Sequence, residues 1–310
     1  MTLSKWTDTT GNNMEDILSN IMNYNDWFEP EKDPLTKENL NYNIEKIFEE
    51  NKEIVLNNTV ITYNFLRFEY ERVRAGEVDN PMRSIRIYSL TGNVIIYTDG
   101  TQTQYIINRS GGPHTLTLLR KLNNYNRKKE ITYTPFHVSE DIFIWMIYKV
   151  LTGKEESLQD DCRLIMKKII GFKGATKDRL AEVKGTGKKI LNLLSTLAFL
   201  FENENVSNIN LQIEYKNETI ETLMDLSGTL DIDLDKYLGQ YFMDHEYERN
   251  AKVILTTFLE IIPKIITVYH LDIENGEWSV DKKIEFFDSI GTQIRNKIND
   301  KIKKMSKDKK

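Results

Sequence analysis

A dense run of positively charged side chains is the feature of this sequence with the clearest chemical meaning. Residues 163–189 contain nine Lys or Arg residues and only two acids, Asp178 and Glu182, which gives the segment a net charge of +7. The complete chain of 310 residues has a net charge of −5. A basic island in an acidic protein attracts polyanions, and contact with nucleic-acid phosphates needs no sequence readout. The segment therefore indicates a local polyanion site.

The end of this run, Lys184-Gly185-Thr186-Gly187-Lys188-Lys189, is similar to a phosphate-binding loop but lacks the pattern of a nucleotide hydrolase. Glu182 stands where the first glycine belongs, and no Ser or Thr follows Lys188 to bind magnesium. A weaker anion site remains possible at the start of a helix predicted over 188–202, because two lysines in a first turn are unfavourable without an anion. The alternative is a surface turn with ordinary lysines.

The loop and helix start are the best candidates for phosphate contact. Lys167 and Lys168 are neighbours on a predicted strand, so they point to opposite faces unless that strand is twisted, bulged or at an edge. A lone Phe172 is too little aromatic surface to stack single-stranded bases, which favours duplex DNA. The expected DNA-binding residues are Lys173, Lys177, Arg179, Lys184, Lys188 and Lys189.

A nuclease site is the first alternative. Glu214-Tyr215-Lys216 on a predicted strand has the acidic-x-Lys spacing found at the end of some metal-nuclease cores. Such a core also needs an earlier aspartate near the metal, and Asp160, Asp161 and Asp178 are available without a distinctive context. The nuclease hypothesis therefore depends on whether the fold brings these acids together.

Other metal and catalytic patterns are not convincing. Asp231, Asp233 and Asp235 begin like a calcium loop, but Lys236 replaces the required glycine and Phe242 the bidentate acid. An exposed strand face explains these alternating acids better. The four histidines are far apart, and the single cysteine, Cys162, has no histidine nearby in the sequence. We therefore predict no catalytic residue, no bound metal and no cofactor.

Charge is distributed unevenly along the whole chain. The last sixteen residues, 295–310, have a net charge of +6, so the rest of the chain outside the two basic runs has −18. Glu218–Glu248 is the most acidic stretch. This separation suits nucleic-acid binding, and it also suits self-association, in which basic and acidic regions of neighbouring copies meet. A non-enzymatic protein-interaction subunit is therefore the second alternative, while a solvated helix end would also explain the basic tail.

Periodicity predicts an α+β fold whose N-terminal part contains an antiparallel meander. We expect a loose arm over 1–35 with a short helix near Met14–Tyr24, an amphipathic helix over Thr36–Asn51 and β structure over Val55–Val73. The meander spans 84–109. Its expected strands, Ile85–Tyr88, Val94–Tyr97 and Tyr105–Ile107, are joined by turns at Thr91-Gly92-Asn93 and Asp99-Gly100.

The remaining elements predict a basic middle unit and a helical end. Helices are expected over His114–Leu122 and Ser139–Leu151, followed by a β-β-α-β-β-β unit and by C-terminal helices that Pro263 and Asn275-Gly276 interrupt. The expected strands of the middle unit are 164–170, 180–183, 209–215, 220–226 and 230–234. We place the domain boundaries at 1–157, 158–240 and 241–310.

We find neither a signal-peptide pattern nor a membrane-spanning run in this sequence. The N-terminus lacks a charged-then-apolar signal pattern, and no apolar run reaches the roughly 18 residues that span a bilayer. We therefore expect a cytoplasmic protein without a membrane span of its own.

Two stretches resemble the RexA-type phage-exclusion proteins. One is the meander from Arg86 to Ser110, which ends Ile107-Asn108-Arg109-Ser110, and the other is Lys173-Gly174-Ala175-Thr176-Lys177-Asp178. The resemblance extends over about three-fifths of the chain, and the sequence after Asp178 departs from it. It implies a DNA-binding homodimer that acts as a sensor with a membrane or effector partner, but it assigns no individual binding residue.

Overall fold

The computed structural model describes residues 1–127, 129–152, 164–175, 182–186 and 206–307. These residues form two compact units, one of 1–135 with 245–252 and the other of 136–244 with 253–310. Both units contain antiparallel strands and helices, so the expected α+β class is confirmed. The domain boundaries expected from the sequence stay a prediction.

The first unit is built on a curved antiparallel sheet in the order β2-β4-β5-β6-β1, with β3 on one edge of β4 and β7 on β1. The strands are β1 (Thr2–Asp8), β2 (Tyr42–Lys46), β3 (Lys52–Leu56), β4 (Thr59–Val73), β5 (Ile87–Thr98), β6 (Thr103–Ile107) and β7 (Ile131–Tyr133). Its helices are α1 (Met14–Met22), α2 (Arg83–Arg86) and α3 (Pro113–Asn123), with a 3₁₀ turn at Tyr24–Asp26. Side chains of α1 and α3 pack with one face of the sheet around Trp6, Phe68 and Tyr105 to form its core.

The second unit has the strand order β12-β11-β10-β8-β9. Its strands are β8 (Leu164–Ala175), β9 (Glu182–Thr186), β10 (Val206–Tyr215), β11 (Glu218–Asp225) and β12 (Leu230–Ile232), with a 3₁₀ turn at Leu234–Lys236. Its helices are α4 (Glu140–Leu151), α5 (Glu246–Thr256), α6 (Ile262–Glu274) and α7 (Val280–Lys307). The first residues of α5, up to Lys252, belong to the first unit. No helix in these described ranges is long and apolar enough to cross a membrane.

The expected meander is present, but its strands differ from the prediction. The hairpin at Asp99-Gly100 is confirmed, because β5 and β6 pair on either side of it and Gly100 has φ 91°. The turn predicted at Thr91-Gly92-Asn93 is wrong, since β5 continues through it. Gly92 instead lies opposite Phe68 of β4, and a Cβ there would come within 2.2 Å of that ring. The glycine is needed for close packing rather than for a turn.

Two further expectations near the N-terminus are wrong. Residues 2–8 are not a loose arm: β1 pairs with β6 and β7, and Leu3 and Trp6 are buried. The amphipathic helix predicted over 36–51 is instead the strand β2 with flanking loops. Its buried residues Leu40, Ile44 and Phe48 recur every four positions, a spacing that fits one face of a helix and, being even, one face of a strand.

Most of the later elements are confirmed, with small shifts. Strands β8, β10, β11 and β12 and helices α3, α4 and α7 lie where periodicity placed them, and Ser139 caps α4 by accepting from the Ile142 N–H. The second short strand of the middle unit is Glu182–Thr186, so Gly185 and Thr186 do not end it. The helix predicted over 188–202 lies outside the described residues. Pro263 lies in the first turn of α6 and does not interrupt that helix. A π-helical turn at Thr257–Ile261 comes directly before α6 and joins α5 to it.

Candidate nucleic-acid interface

The candidate interface is the polar face of the sheet in the second unit, along β8 and β9. Strand β8 pairs with β10 on one side and with β9 on the other. Alternate residues of β10, such as Ile209, Leu211 and Ile213, are fully buried, while Gln212 and Glu214 between them are half-buried. The buried set fixes the strand register, so the polar set must line the opposite face.

A β-bulge in β8 places two consecutive lysines on that polar face. Gln212 pairs with Lys168, but the next residue of β10, Ile213, pairs with Met166, so Lys167 is an extra residue in β8. Met166 is buried, whereas Lys167 and Lys168 are both half-buried. Bulges re-aim side chains in this way. Strict alternation along β8 would place Lys167 and Lys168 on opposite faces of the sheet. The bulge places both on the same face.

Two predicted DNA-binding residues lie at directly opposite backbone positions of the β8–β9 hairpin. The Cα atoms of Lys173 in β8 and Lys184 in β9 are register partners. Like charges at directly opposite positions of a sheet are unfavourable unless a counter-charge is present. Of the other predicted residues, Lys177, Arg179, Lys188 and Lys189 lie outside the described residues.

The two neighbouring lysines of the bulge, Lys167 and Lys168, are only weakly neutralised by protein carboxylates. The Lys167 ammonium is 3.2 Å from the Glu214 carboxylate, and both side chains are partly exposed, so this ion pair is worth at most about 1 kcal/mol. Within the ranges that the structure describes, the Lys168 ammonium has no hydrogen bond or ion pair. Lys167 and Lys168 can therefore accept an external anion at little cost.

The charge of the polar face reverses across the sheet. In one cross-strand row, Lys168 of β8 is followed by Gln212 of β10 and Glu221 of β11. Beyond Glu221, the ammonium of Lys236 lies 2.8 Å from Asp233 and 2.7 Å from Glu221. These contacts, that with Asp233 foremost, raise the pKa of Lys236, so it remains charged and offsets one of the two negative charges beside it. The basic side chains of this face therefore lie on β8, and the remaining negative charge lies on the side of β11.

The two residues of the expected nuclease motif, Glu214 and Lys216, make contacts with different partners. Glu214 forms the ion pair with Lys167, whereas Lys216 follows the strand in the left-handed region at φ 52°. The Lys216 ammonium is 3.1 Å from the carboxylate of Glu260, which is buried in the π-helical turn. No cluster of three or more His, Cys, Asp or Glu side chains suited to a metal is found in the described part of the chain. Asp160, Asp161 and Asp178 lie outside that part.

The calcium-loop residues form ordinary local contacts. Asp231 lies on β12, opposite Leu223 of β11, and Asp233 is held by Lys236. The contact with Lys236 lowers the pKa of Asp233. This arrangement agrees with acids on one face of a strand and the turn after it rather than with a calcium loop.

Comparison with known proteins does not assign the chain to a group. No protein-family model matches it, and no curated protein matches it significantly. What the protein does must therefore be inferred from the arrangement of its own residues.

Proposed function

We propose that this protein binds duplex DNA through the phosphate backbone, without sequence preference. The contacts would come from the lysines of β8 and β9, from Lys177 and Arg179 between these strands in sequence, and from Lys188 and Lys189 after them. The bulge at Lys167 is the observation that supports this proposal most strongly. It gives β8 two adjacent lysines on one open face, with the Lys173–Lys184 pair farther along the same hairpin. Sequence-independent binding needs only such a row of cations.

Duplex DNA is a better ligand for this surface than a single strand. Proteins that bind single strands stack bases on exposed aromatic rings. Phe172, the aromatic residue within β8, is only 3% exposed and faces the core with Ile209. The lysines of the hairpin therefore offer phosphate contacts without a stacking platform.

The biological setting of the proposal is a bacterial anti-phage exclusion system. The resemblance to RexA-type proteins supports a cytoplasmic, homo-oligomeric sensor or effector that acts with a membrane or effector partner. These properties depend on the resemblance, whereas DNA binding is also supported by the geometry of the lysines. The two parts of the proposal can therefore fail separately.

The first test measures the affinity of the full chain for a fluorescent duplex of random sequence at low salt. A variant in which Lys167, Lys168, Lys173 and Lys184 are all changed to Gln should bind at least about tenfold more weakly. A variant with Lys173, Lys177, Lys188 and Lys189 changed to Gln should lose affinity to a similar degree. The matched control changes Lys32, Lys37, Lys52 and Lys282 to Gln, which lowers the net charge equally outside the hairpin, and it should bind almost normally.

Several outcomes would contradict the proposal. It fails if the wild type does not bind the duplex at low salt, or if the hairpin variant and the charge-matched control bind equally. Magnesium-dependent cleavage that is lost in Glu214→Ala would instead favour the nuclease. Salt-sensitive oligomerisation without DNA retention would favour the protein-interaction subunit.

A further inference from the structure

A polar cavity in the first unit has the properties of a ligand site that is separate from the lysine hairpin. Its volume is about 300 Å³. Strands β4 and β5, the residue after β6 and the first turns of α5 contribute its walls. Its lining includes Phe65, Arg67, Asn93, Asn108, Tyr247 and Asn250, together with one acidic residue, Glu246.

The floor of the cavity is a row of three polar side chains across neighbouring strands. Arg67 of β4 is the register partner of Asn93 of β5. The Asn108 N–H donates to the Asn93 carbonyl at 3.1 Å, and the Asn108 side-chain oxygen accepts from the Asn93 N–H at 2.8 Å. Because this oxygen is occupied, the Asn108 amide keeps its NH₂ group as a donor. The row lies on the sheet face opposite the core around Phe68.

The wall opposite this row is formed by the start of α5. Tyr247 and Asn250 are three residues apart, so they share one face of the helix. The Tyr247 ring packs against Phe65 of β4 with a centroid distance of 5.3 Å. This aromatic pair provides an apolar surface beside the polar row.

The hydrogen-bonding groups of the cavity are incompletely satisfied. The side-chain oxygen of Asn250 is inaccessible to solvent and has no hydrogen-bond partner. In the described ranges, the exposed Arg67 guanidinium and the half-buried Asn93 side-chain amide make no hydrogen bond or ion pair, so both are available to a ligand at no cost in protein contacts. A buried acceptor without a partner costs about 1–3 kcal/mol. A protein tolerates such a cost where a ligand provides the missing donor.

We propose that this cavity binds a single nucleotide, a nucleoside monophosphate. The Arg67 guanidinium would pair with the phosphate, and the amides of Asn93, Asn108 and Asn250 would bond the polar edge of the base. The Tyr247–Phe65 pair would contact the base as an apolar surface. This proposal does not depend on duplex binding by the hairpin.

Simpler ligands fit the same groups less well. Inorganic phosphate has acceptor oxygens at neutral pH, so it gives the Asn250 oxygen a weaker partner than the N–H groups of a base. A neutral sugar would leave the guanidinium of Arg67 without a counter-charge. A nucleotide has a donor, acceptors, a planar ring and a negative charge in one molecule, and the cavity volume lies at the lower end of the range for small-ligand sites.

Calorimetric titration of the full chain with AMP, GMP, CMP, UMP and inorganic phosphate tests this proposal. At least one nucleotide should bind with a dissociation constant below about 1 mM, and more tightly than phosphate. Arg67→Gln should weaken that binding at least about tenfold, because a charge-assisted contact is lost. Arg72→Gln, on the same strand but outside the cavity, is the control and should bind normally.

Asn250→Ala separates a binding role from a structural one. If Asn250 serves a ligand, the variant should lose nucleotide affinity while its melting temperature without nucleotide stays the same or rises, because an unpaired acceptor has been removed. The proposal is overturned if no nucleotide binds at about 1 mM, if phosphate binds as tightly as every nucleotide, or if Arg67→Gln and Asn250→Ala retain full affinity. A lower melting temperature of Asn250→Ala with unchanged affinity would likewise assign Asn250 a structural role.

Discussion

Among single residues, Glu218 is the clearest example of a carboxylate held by its surroundings. It begins β11, is only 3% exposed, and accepts a hydrogen bond from the Tyr237 hydroxyl. Gly239 packs directly against it: a Cβ at Gly239 would be 1.9 Å from a Glu218 carboxylate oxygen and 2.6 Å from the Tyr237 hydroxyl. The space beside Glu218 therefore admits only a glycine.

Replacement of Gly239 should destabilise the second unit. Gly239→Ala forces a methyl group into the Glu218–Tyr237 contact, and overpacking of this kind costs about 1–3 kcal/mol of unfolding free energy. Urea denaturation gives the value. In a Glu218→Ala background the closer clash is removed and only that with the Tyr237 hydroxyl remains, so the cost of Gly239→Ala should be clearly smaller. An equal cost in both backgrounds would mean that the clash is not the cause.

The same carboxylate should make stability depend on pH. Burial raises the pKa of Glu218, and this outweighs the opposing effect of the hydrogen bond from Tyr237. The folded state therefore binds this proton more tightly than the unfolded state, so the stability that Glu218 contributes declines as pH rises from about 4.

Glu218→Gln tests this direction. The variant keeps the shape but not the charge, so relative to the wild type it should gain stability as the pH is raised from 4 to 8. Urea midpoints across this range are the measurement. If the difference between Glu218→Gln and the wild type does not change with pH, the burial of Glu218 does not set its pKa.

Among elements, the start of α4 is joined to α6 and α7 by one carboxylate. Asp141 accepts hydrogen bonds from Trp278 at 2.7 Å, from Tyr269 of α6 at 2.8 Å and from Lys283 of α7 at 3.1 Å. Burial alone would raise the pKa of Asp141, but these three donors together lower it. The carboxylate therefore stays charged and holds the helical part of the second unit together.

Loss of one donor should measurably weaken this junction. Trp278→Phe removes the indole N–H that bonds a charged group, which should cost at least about 1.5 kcal/mol of unfolding free energy. Trp27→Phe is the matched control, since the Trp27 N–H bonds only the exposed carbonyl of Asn20 at 3.0 Å and should cost less. Equal losses from chemical denaturation of the two variants would show that Asp141 does not strengthen the contact.

A helix or strand could be predicted correctly where the local sequence pattern fits only one type of secondary structure. Alternating apolar residues identified β10 and β11, and the Ser139 cap identified α4, because no competing structure explains these patterns. Leu40, Ile44 and Phe48 fit helix and strand alike, and only pairing with β4 selected the strand β2. Gly92 looked like a turn residue, whereas its role is set by Phe68 on another strand.

The candidate interface could be predicted only in part, because some of its geometry results from strand pairing rather than from the local sequence. Composition identified the basic run, and local patterns predicted a loop that leads to a short strand within it. The bulge at Lys167 has no local signal, since it results from the register of β8 against β10. The polar cavity was missed entirely, because Arg67, Asn93 and Tyr247 are distant in sequence and none belongs to a recognisable motif.

On the scale of the whole molecule, charge separation is the main functional signal. A chain of net charge −5 concentrates +7 between residues 163 and 189, and the described part of that segment lies on two paired strands. Acidic side chains on β11 and β12 border the same sheet. A phosphate backbone would therefore be attracted to the β8–β9 side of this sheet rather than to the side of β11 and β12.

The salt dependence of duplex binding tests phosphate recognition most directly. The logarithm of the association constant should fall linearly with the logarithm of salt concentration, with a slope of about −0.9 for each phosphate neutralised. If Lys167, Lys168, Lys173 and Lys184 each contact one phosphate, changing all four to Gln should reduce the magnitude of the slope by about 3.6. The charge-matched control variant should keep the wild-type slope. Identical slopes for the wild type and the hairpin variant would contradict DNA binding by this surface.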